Sequence, residues 1–580
     1  MQSINCQQCK SSFTITSEDR QLLGMLAVPE PTFCPRCRSI RRAVFRNERS
    51  LYKRACDLCK KESIMMYPTK TPFPVYCKPC WWSDSWTAAD FAREYDFSKP
   101  FFAQMHELML AVPRPGVIHQ GNIINSEYTN RVTDMRNCYL VFGTTNAEYS
   151  RYSTTINGSK ECQDCYATIK SEKCYECTDS TNCYELAFSR DCTNCRNSWF
   201  LQNCVNCSNC FGCVNLRNKQ YCIFNEQYSK EEYEKKIAGF NLHSAKSVET
   251  VRAQFAEFKK KFIVPALVTR RSVDSSGNWV EDCKNVTQSF NCQNVEDGRH
   301  CYNMFTAKTV MDYSQWGAAS EKIYESVNCG MQLGNVHFGN ECWIQLMDSE
   351  YVMNCHNSKN LFACIGIRNS EYRILNKQYS KEEYVQLVGK IKKQMDELPY
   401  TDAAGRVYKY GEFFPIELSP HAYNETGAQE FYPITKEEAI KNHFPWKEPE
   451  SRKYAVTLQA KDLPDSIHDA DDGLLKEVIS CEHEGRCDHG CTTALRLIPE
   501  ELAMYKTAGL PLPRLCHNCR YHLRIRERNP FALWPRSCQC PGSKIHEHGE
   551  NACINKFETS YAPDRPEKVY CIQCYQQEVG

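Results

Sequence analysis

The sequence predicts a mixed multidomain fold: a cysteine-paired module at each end, and between them two parallel β-solenoid-like repeats closed by helices. Three observations predict it. Pairs at C-x2-C spacing crowd both ends, and the two crowds superimpose. A nine-residue recurrence of cysteine and small apolar residues runs through the middle. One phrase of that middle returns almost unchanged 151 residues further on.

The N-terminal pairs are Cys6/Cys9, Cys34/Cys37, Cys56/Cys59 and Cys77/Cys80. Displaced by 482 residues, Cys9, Cys34 and Cys37 fall on Cys491, Cys516 and Cys519; displaced by 494, Cys59, Cys77 and Cys80 fall on Cys553, Cys571 and Cys574. Paired thiolates at this spacing hold Zn²⁺, which takes four ligands in a tetrahedron. The pattern therefore predicts about four zinc ions per chain, two at each end. The first two sites are Cys6, Cys9, Cys34 and Cys37, then Cys56, Cys59, Cys77 and Cys80. The third is read as Cys487, Cys491, Cys516 and Cys519. The fourth has Cys553, Cys571 and Cys574, with Cys538 or Cys540 completing it. The positions matching Cys6 and Cys56 are Asp488 and Glu550, so Cys481, His483 and His548 are further candidate ligands.

Each N-terminal site has its second pair leading into a segment that reads as a helix, 38–54 after Cys37 and 81–97 after Cys80. A hairpin followed by a pair at a helix start resembles a treble clef or zinc ribbon, in which the helix dipole steadies the thiolates. This predicts double zinc modules over 1–100 and 481–580. The first carries Arg36, Arg38, Arg41, Arg42, Arg46, Arg49, Lys53 and Arg54 against Glu48, eight positive charges minus one negative. Arg38, Arg41, Arg42 and Arg46 are candidate phosphate-binding residues. The other reading pairs these arginines with acidic segments of the same chain, such as 461–488.

In the middle, Cys138, Cys165, Cys174, Cys183, Cys192 and Cys210 share one nine-residue phase, and Cys195, Cys204, Cys213 and Cys222 another. That period is not helical and resembles the short repeat of a β-solenoid. Asn137, Asn182, Asn194, Asn203, Asn206 and Asn209 precede cysteines and suit left-handed turns. Solenoids are predicted over 118–228 and 270–379. Residues 217–233 match 368–384 at 12 of 17 positions. Each copy ends in Ser-Lys-Glu-Glu, a capping box that starts a helix. A helical connector over 229–265 and a capping helix over 380–398, with Tyr384, Leu387, Val388, Ile391 and Met395 on one face, follow from this. Residues 399–480 read as an extended connector. The run Cys204, Cys207, Cys210, Cys213 superficially resembles a ferredoxin motif, but the second copy has Ser358 and Leu361 in place of Cys207 and Cys210. Reduced cysteines acting as small core residues account for both copies, with additional metal or an iron–sulfur cluster as the alternatives.

The chain has 580 residues, 38 cysteines and a net charge of +1. It shows no secretory pattern at its start and no run of about 18 apolar residues, which predicts a cytoplasmic protein with reduced thiols and no membrane span. No glycine-rich phosphate loop, G-x-S-x-G elbow or H-E-x-x-H motif occurs. The solenoid acids, Asp134, Glu148, Glu161, Asp164, Glu172, Asp179 and Asp191, share no single phase. The reading is a non-catalytic zinc scaffold that binds a protein or other macromolecule through its terminal modules. The alternatives are a nucleic-acid or ribosome binder using the Arg36–Arg54 segment, a solenoid enzyme, and a thiol- or metal-handling protein.

The phrases "VPEPTFCPRCR", "VYCKPCWWSDSW", "NCFGCVNLRNKQYC", "GEFFPIELSPHAYNET" and "SYAPDRPEKVYCIQCY" resemble those of a family of large, cysteine-rich, zinc-ribbon-containing proteins known from genomes of small uncultured bacteria. The resemblance spans nearly the whole chain. It implies zinc binding and no particular reaction. Some relatives carry a CoA-transferase label, and no catalytic constellation in this sequence supports that chemistry.

Overall fold

The computed structural model describes residues 3–448, 454–543 and 546–579. Two parallel β-solenoids form its body. In the first, Tyr139 bridges Arg151, Arg151 bridges Gln163 and Gln163 bridges Tyr175, so one coil is twelve residues long. The nine-residue period is thereby corrected. The true module is three residues. The backbone turns through positive φ at every third position, for example 54° at Asn182, 53° at Asn203 and Asn206, and 51° at Asn209. The residue after each turn faces inward, and four turns complete a coil. Nine and twelve are both multiples of three, so both spacings select inward residues, but only twelve stacks one residue on the next. Left-handed geometry costs most side chains energy and asparagine least, which is why asparagine recurs at the corners.

The interior is narrow and lined by backbone polar groups. The Cys165 thiol lies 3.4 Å from the carbonyls of both Gln163 and Cys174. The hydroxyls of Ser150 and Ser153 accept from the backbone N–H groups of Cys162 and Cys165 at 3.1 and 3.0 Å. Small side chains with a weak donor or acceptor satisfy these groups where leucine would not. Every described cysteine is a free thiol. Alkylation of the native protein is therefore expected to spare Cys174 and Cys183, which are buried, and to modify both after denaturation. Peptide mass spectrometry showing either one modified in the native state would refute this placement.

The second solenoid begins with an eleven-residue step, Thr269 opposite Val280, and then takes the same coil length, Phe290 opposite Tyr302. The spacing grows to thirteen where Glu321 faces Gly334 and Gly334 faces Met347, and returns to twelve where Lys359 faces Glu371. The wider coils hold larger side chains, among them Tyr313, Tyr324 and Phe338. At Gly277 (φ 136°) a Cβ would lie 1.8 Å from the Ser289 carbonyl oxygen, so the next coil admits only glycine there. Both solenoids end in a hairpin, Cys222–Ile223 with Glu226–Gln227 and Glu371–Ile374 with Lys377–Gln378. Capping boxes at Ser229/Glu232 and Ser380/Glu383 then start the helices Lys230–Ala238 and Lys381–Glu397. Tyr384, Ile391 and Met395 of the latter are buried, with Leu387 and Val388 packed against the same core. The helix Ala245–Lys259 buries Val248, Val251 and Phe255. Phe413 and Phe414 fasten the connector to the second solenoid's core.

The helices behind the cysteine pairs are shorter than the sequence suggested. The first is Pro35–Val44, and Tyr52–Ala55 is already a strand. Asn47 intervenes: its side chain accepts from the Ser50 N–H at 3.0 Å and donates to the Ser50 carbonyl at 3.0 Å and the Met66 carbonyl at 2.8 Å, closing a turn that stops the helix. The second is Lys78–Trp81, followed by a 3-10 turn at Ala88–Phe91. No helix among the described residues is long and apolar enough to cross a membrane.

Burial holds several histidines neutral, pushing His119 and His356 down to about 4 and His337 to about 3. Each binds fewer protons folded than unfolded. Their contribution is complete above the unfolded value near 6.5 and is lost as pH falls toward 4, at roughly 1.4 kcal/mol per pH unit for each titrating histidine. The urea midpoint is expected to drop markedly between pH 7 and pH 5, with zinc content followed in parallel to separate thiolate protonation. A flat profile would contradict the buried neutral histidines.

Candidate metal centres

Each site is assembled from a hairpin turn and a helix start. Ser3–Asn5 pairs with Ser12–Thr14, and the turn between them carries Cys6 and Cys9. Cys34 and Cys37 lie at the start of the helix Pro35–Val44. The four sulfurs lie within 4.8 Å of one another. Cys9 and Cys34 are 3.7 Å apart. Zinc–sulfur bonds of about 2.3 Å in a tetrahedron place sulfurs about 3.8 Å apart, so the spacing fits the ion. The second site repeats this on the hairpin Tyr52–Ala55 with Glu62–Met65: Cys56, Cys59, Cys77 and Cys80 converge, with Cys59 and Cys77 3.8 Å apart.

The C-terminal sites have the same plan with a different first ligand. Cys481, Cys491, Cys516 and Cys519 form one set, and Cys538, Cys553, Cys571 and Cys574 the other. One repeated contact identifies the first ligand. The N–H of the third cysteine donates to the sulfur of the first, Cys34 to Cys6, Cys77 to Cys56 and Cys516 to Cys481 at 3.3 Å each, and Cys571 to Cys538 at 3.2 Å. Cys487 is thus displaced by Cys481, and Cys540 by Cys538. Fixed-offset alignment misses this because the first knuckle has lengthened, from two residues between Cys6 and Cys9 to nine between Cys481 and Cys491 and fourteen between Cys538 and Cys553. Cys487 instead joins His483, His489 and Cys519 in a second set. Cys540 lies 3.0 Å from His546 Nδ1 and 3.7 Å from His548 Nε2. Of the histidines in these knuckles, the sequence pattern points to His483 and His548; His489 and His546 sit at no offset matched by the N-terminal modules.

Before an ion binds, each set favours one thiolate at its neighbours' expense, Cys37 and Cys519 being pushed up by the same contacts. Hydrogen bonds from Cys34 and Cys37 hold Cys6 far below the ordinary thiol range, and Cys481 and Cys519 do the same for Cys516. At Cys56 burial opposes ionisation, but backbone N–H groups from Cys77, Cys59 and Leu58 bring the thiol to about 7. Four protein ligands complete the coordination of Zn²⁺ and leave no open position, as in structural sites.

The arginines beside the first site face inward. Arg38 meets Asp312 at 2.7 Å, Arg42 meets Asp312 at 3.1 Å, and Arg41 meets Glu325 at 2.8 Å and Glu412 at 2.9 Å, all these side chains being at most 4% exposed. The Arg41 guanidinium also sits 4.4 Å from the Phe33 ring centroid. Arg46 is buried with Glu48 and Asn328. None of the four presents a cation to a phosphate, which corrects that assignment. Their partners come from the second solenoid and the connector rather than from 461–488. Burial works against ionisation of Asp312, but Arg38 and Arg42 hold its carboxyl below the usual range.

The C-terminal module repeats the arrangement on the other solenoid. Arg520 and Arg524 converge on Asp164 at 3.1 Å each, and Arg528 binds Asp179 at 2.8 Å. Arg38, Arg42 and Asp312 correspond to Arg520, Arg524 and Asp164. The modules are therefore exchanged: the N-terminal one seats on the second solenoid and the C-terminal one on the first. They also touch, with the Arg49 guanidinium 3.5 Å over the Tyr521 ring.

No protein-family model matches the chain, and no curated protein sequence does. Among solved structures, a protein assigned as an acetyltransferase from Desulfovibrio desulfuricans G20 aligns at 10% identity over 50% of this chain and 85% of its own, with a TM-score of 0.10, which carries no argument about fold or function.

Proposed function

We propose that this chain is a zinc-stabilised scaffold whose treble-clef-type end modules serve structure rather than catalysis and engage a protein partner in a reducing, cytoplasmic setting. The observation that carries this reading is the fourfold repetition of a closed four-cysteine set built on the same N–H···S contact. Closed sets suit zinc that holds a fold and leave no position for substrate. At the knuckle of the fourth site Ile554 is 91% exposed, an apolar tip beside the ligand Cys553. The solenoid-enzyme alternative loses support because Asp164 and Asp179 are committed to ion pairs with the C-terminal arginines.

The test is affinity capture of the full chain followed by identification of what co-purifies. The scaffold reading expects a protein partner retained after nuclease treatment, dependent on zinc loading and lost in Ile554→Asp, with metal content unchanged by that substitution. Retention that nuclease abolishes would favour a nucleic-acid binder instead. Arg41→Glu with Arg42→Glu is expected to destabilise the fold. A stable double variant that merely loses salt-sensitive retention on immobilised RNA or DNA would overturn the buried-pair assignment.

A further inference from the structure

The two C-terminal sites each carry more ligands than one zinc ion uses. Cys519 Sγ lies 3.9 Å from Cys481 and 3.5 Å from Cys516 within its own set, and also 3.6 Å from Cys487. Cys487 belongs with His483 and His489 to a set whose donor atoms, Cys519 included, lie within 4.8 Å of one another. His489 is 4% exposed; its Nε2 has only the Asp488 carboxylate, 3.6 Å away and beyond hydrogen-bond reach, and neither its Nδ1 nor Nδ1 of His483 has a hydrogen-bond partner. A buried imidazole nitrogen with no partner is costly unless something fills the space between these donors.

The fourth site shows the same pattern with different residues. His548 Nε2 lies 3.2 Å from Cys574 Sγ and 3.7 Å from Cys540 Sγ, while its Nδ1 donates to the Asn551 carbonyl at 2.8 Å. His546 is 4% exposed; its Nδ1 is 3.0 Å from Cys540 Sγ, and its Nε2 faces the Glu578 carboxylate at 3.2 Å. Orienting one ring nitrogen on a carbonyl or carboxylate while freeing the other is how metal-binding histidines are set. A tetrahedral zinc with bonds of about 2.0–2.1 Å to nitrogen and 2.3 Å to sulfur separates those donors by about 3.5 Å, which these contacts bracket.

We propose that each C-terminal site is a binuclear zinc centre. His483, Cys487 and His489 hold a second Zn²⁺ that shares the Cys519 thiolate with the first; Cys540, His546 and His548 hold one that shares Cys574. The added ligands all lie in the lengthened knuckles, between Cys481 and Cys491 and between Cys538 and Cys553. The two-residue knuckles of the N-terminal sites have no room for them. Charge supports the sharing. Four thiolates around one dication leave a net charge of −2. One further thiolate, two neutral imidazoles and a second dication bring the cluster to −1.

The inference rests on the four-cysteine sets holding zinc, and metal counting separates the two ideas. The full chain is expected to carry about six zinc ions, four in the four-cysteine sets, one with His483, Cys487, His489 and Cys519, and one with Cys540, His546, His548 and Cys574. His489→Ala and His546→Ala are each expected to lose one ion, and the double variant two. Four ions in the unmutated chain would overturn the binuclear centres and leave the zinc scaffold intact. No zinc would overturn both. Six ions with no loss in the histidine variants would place the extra metal elsewhere and overturn this assignment. The unmutated chain, loaded with Co²⁺, gives a readout independent of variant folding: thiolate-bridged pairs couple magnetically and lose signal per ion, whereas isolated ions keep it in full, and full signal from every ion would refute the shared sulfurs.

Discussion

Serine at Cys37 is expected to cost the chain one zinc ion and to unseat the whole N-terminal module. A structural zinc supplies roughly 10–16 kcal/mol of apparent binding energy, as much as the entire stability of an ordinary domain. Cys37 is buried and lies at the start of the helix that carries Arg38, Arg41 and Arg42. Once that helix frays, Asp312 and Glu325 are left buried in the second solenoid with no counter-charge. The damage is therefore expected to spread across the chain rather than along it. Hydrogen exchange should lose protection over 302–330 while the coils over 166–199, seated against the other module, keep theirs. Cys519→Ser should invert the pattern. Uniform loss, or loss confined to the mutated module, would refute the exchanged seating.

The second large effect is expected from a single carboxylate. Asp312→Ala removes the nearest partner of both Arg38 and Arg42, two guanidinium groups at most 1% exposed, and leaves them only Glu325, at 3.9 and 3.4 Å and already paired with Arg41. Breaking a buried pair from one side costs about 3–5 kcal/mol, because the remaining charge has neither water nor partner. Glu325 still faces both arginines, which places this variant at the lower end of that range. Arg38→Met added to Asp312→Ala should recover part of the loss, since an apolar replacement on both sides removes the orphan charge. Asp164→Ala tests the same logic at the other seat. Denaturant midpoints within experimental scatter of the unmutated chain for both single variants would show that the pairs contribute nothing.

The sequence made some of this readable and hid the rest for physical reasons. The C-x2-C pairs of the N-terminal sites were legible because zinc fixes ligand spacing tightly. So were the capping boxes at Ser229 and Ser380, which are purely local hydrogen-bond chemistry. The solenoids were legible in kind but not in pitch, because a three-residue module makes nine and twelve equally good at selecting inward cysteines, and only cross-coil pairing decides. The first ligands Cys481 and Cys538 were obscured by insertions between ligands, which leave the site geometry intact while shifting every offset. The fate of Arg38, Arg41 and Arg42 was hidden most deeply. A basic run looks the same whether it faces phosphate or a carboxylate, and Asp312 stands alone in its neighbourhood with no pattern to announce it.

The exchange of modules between solenoids sets a timetable for synthesis. Arg38 leaves the ribosome 274 residues ahead of Asp312, and Arg41 leaves 371 ahead of Glu412. At about 5–20 residues per second, the first module spends roughly 15–75 s with its arginines unpaired. On the zinc-scaffold proposal, zinc closes these sites during that interval, since their ligands are all local, and the metal then holds a finished part in readiness for a seat that does not yet exist. The last module meets the opposite situation and finds its solenoid already wound. On that proposal, metal supply at the moment of translation governs whether the early module is still intact when its seat arrives.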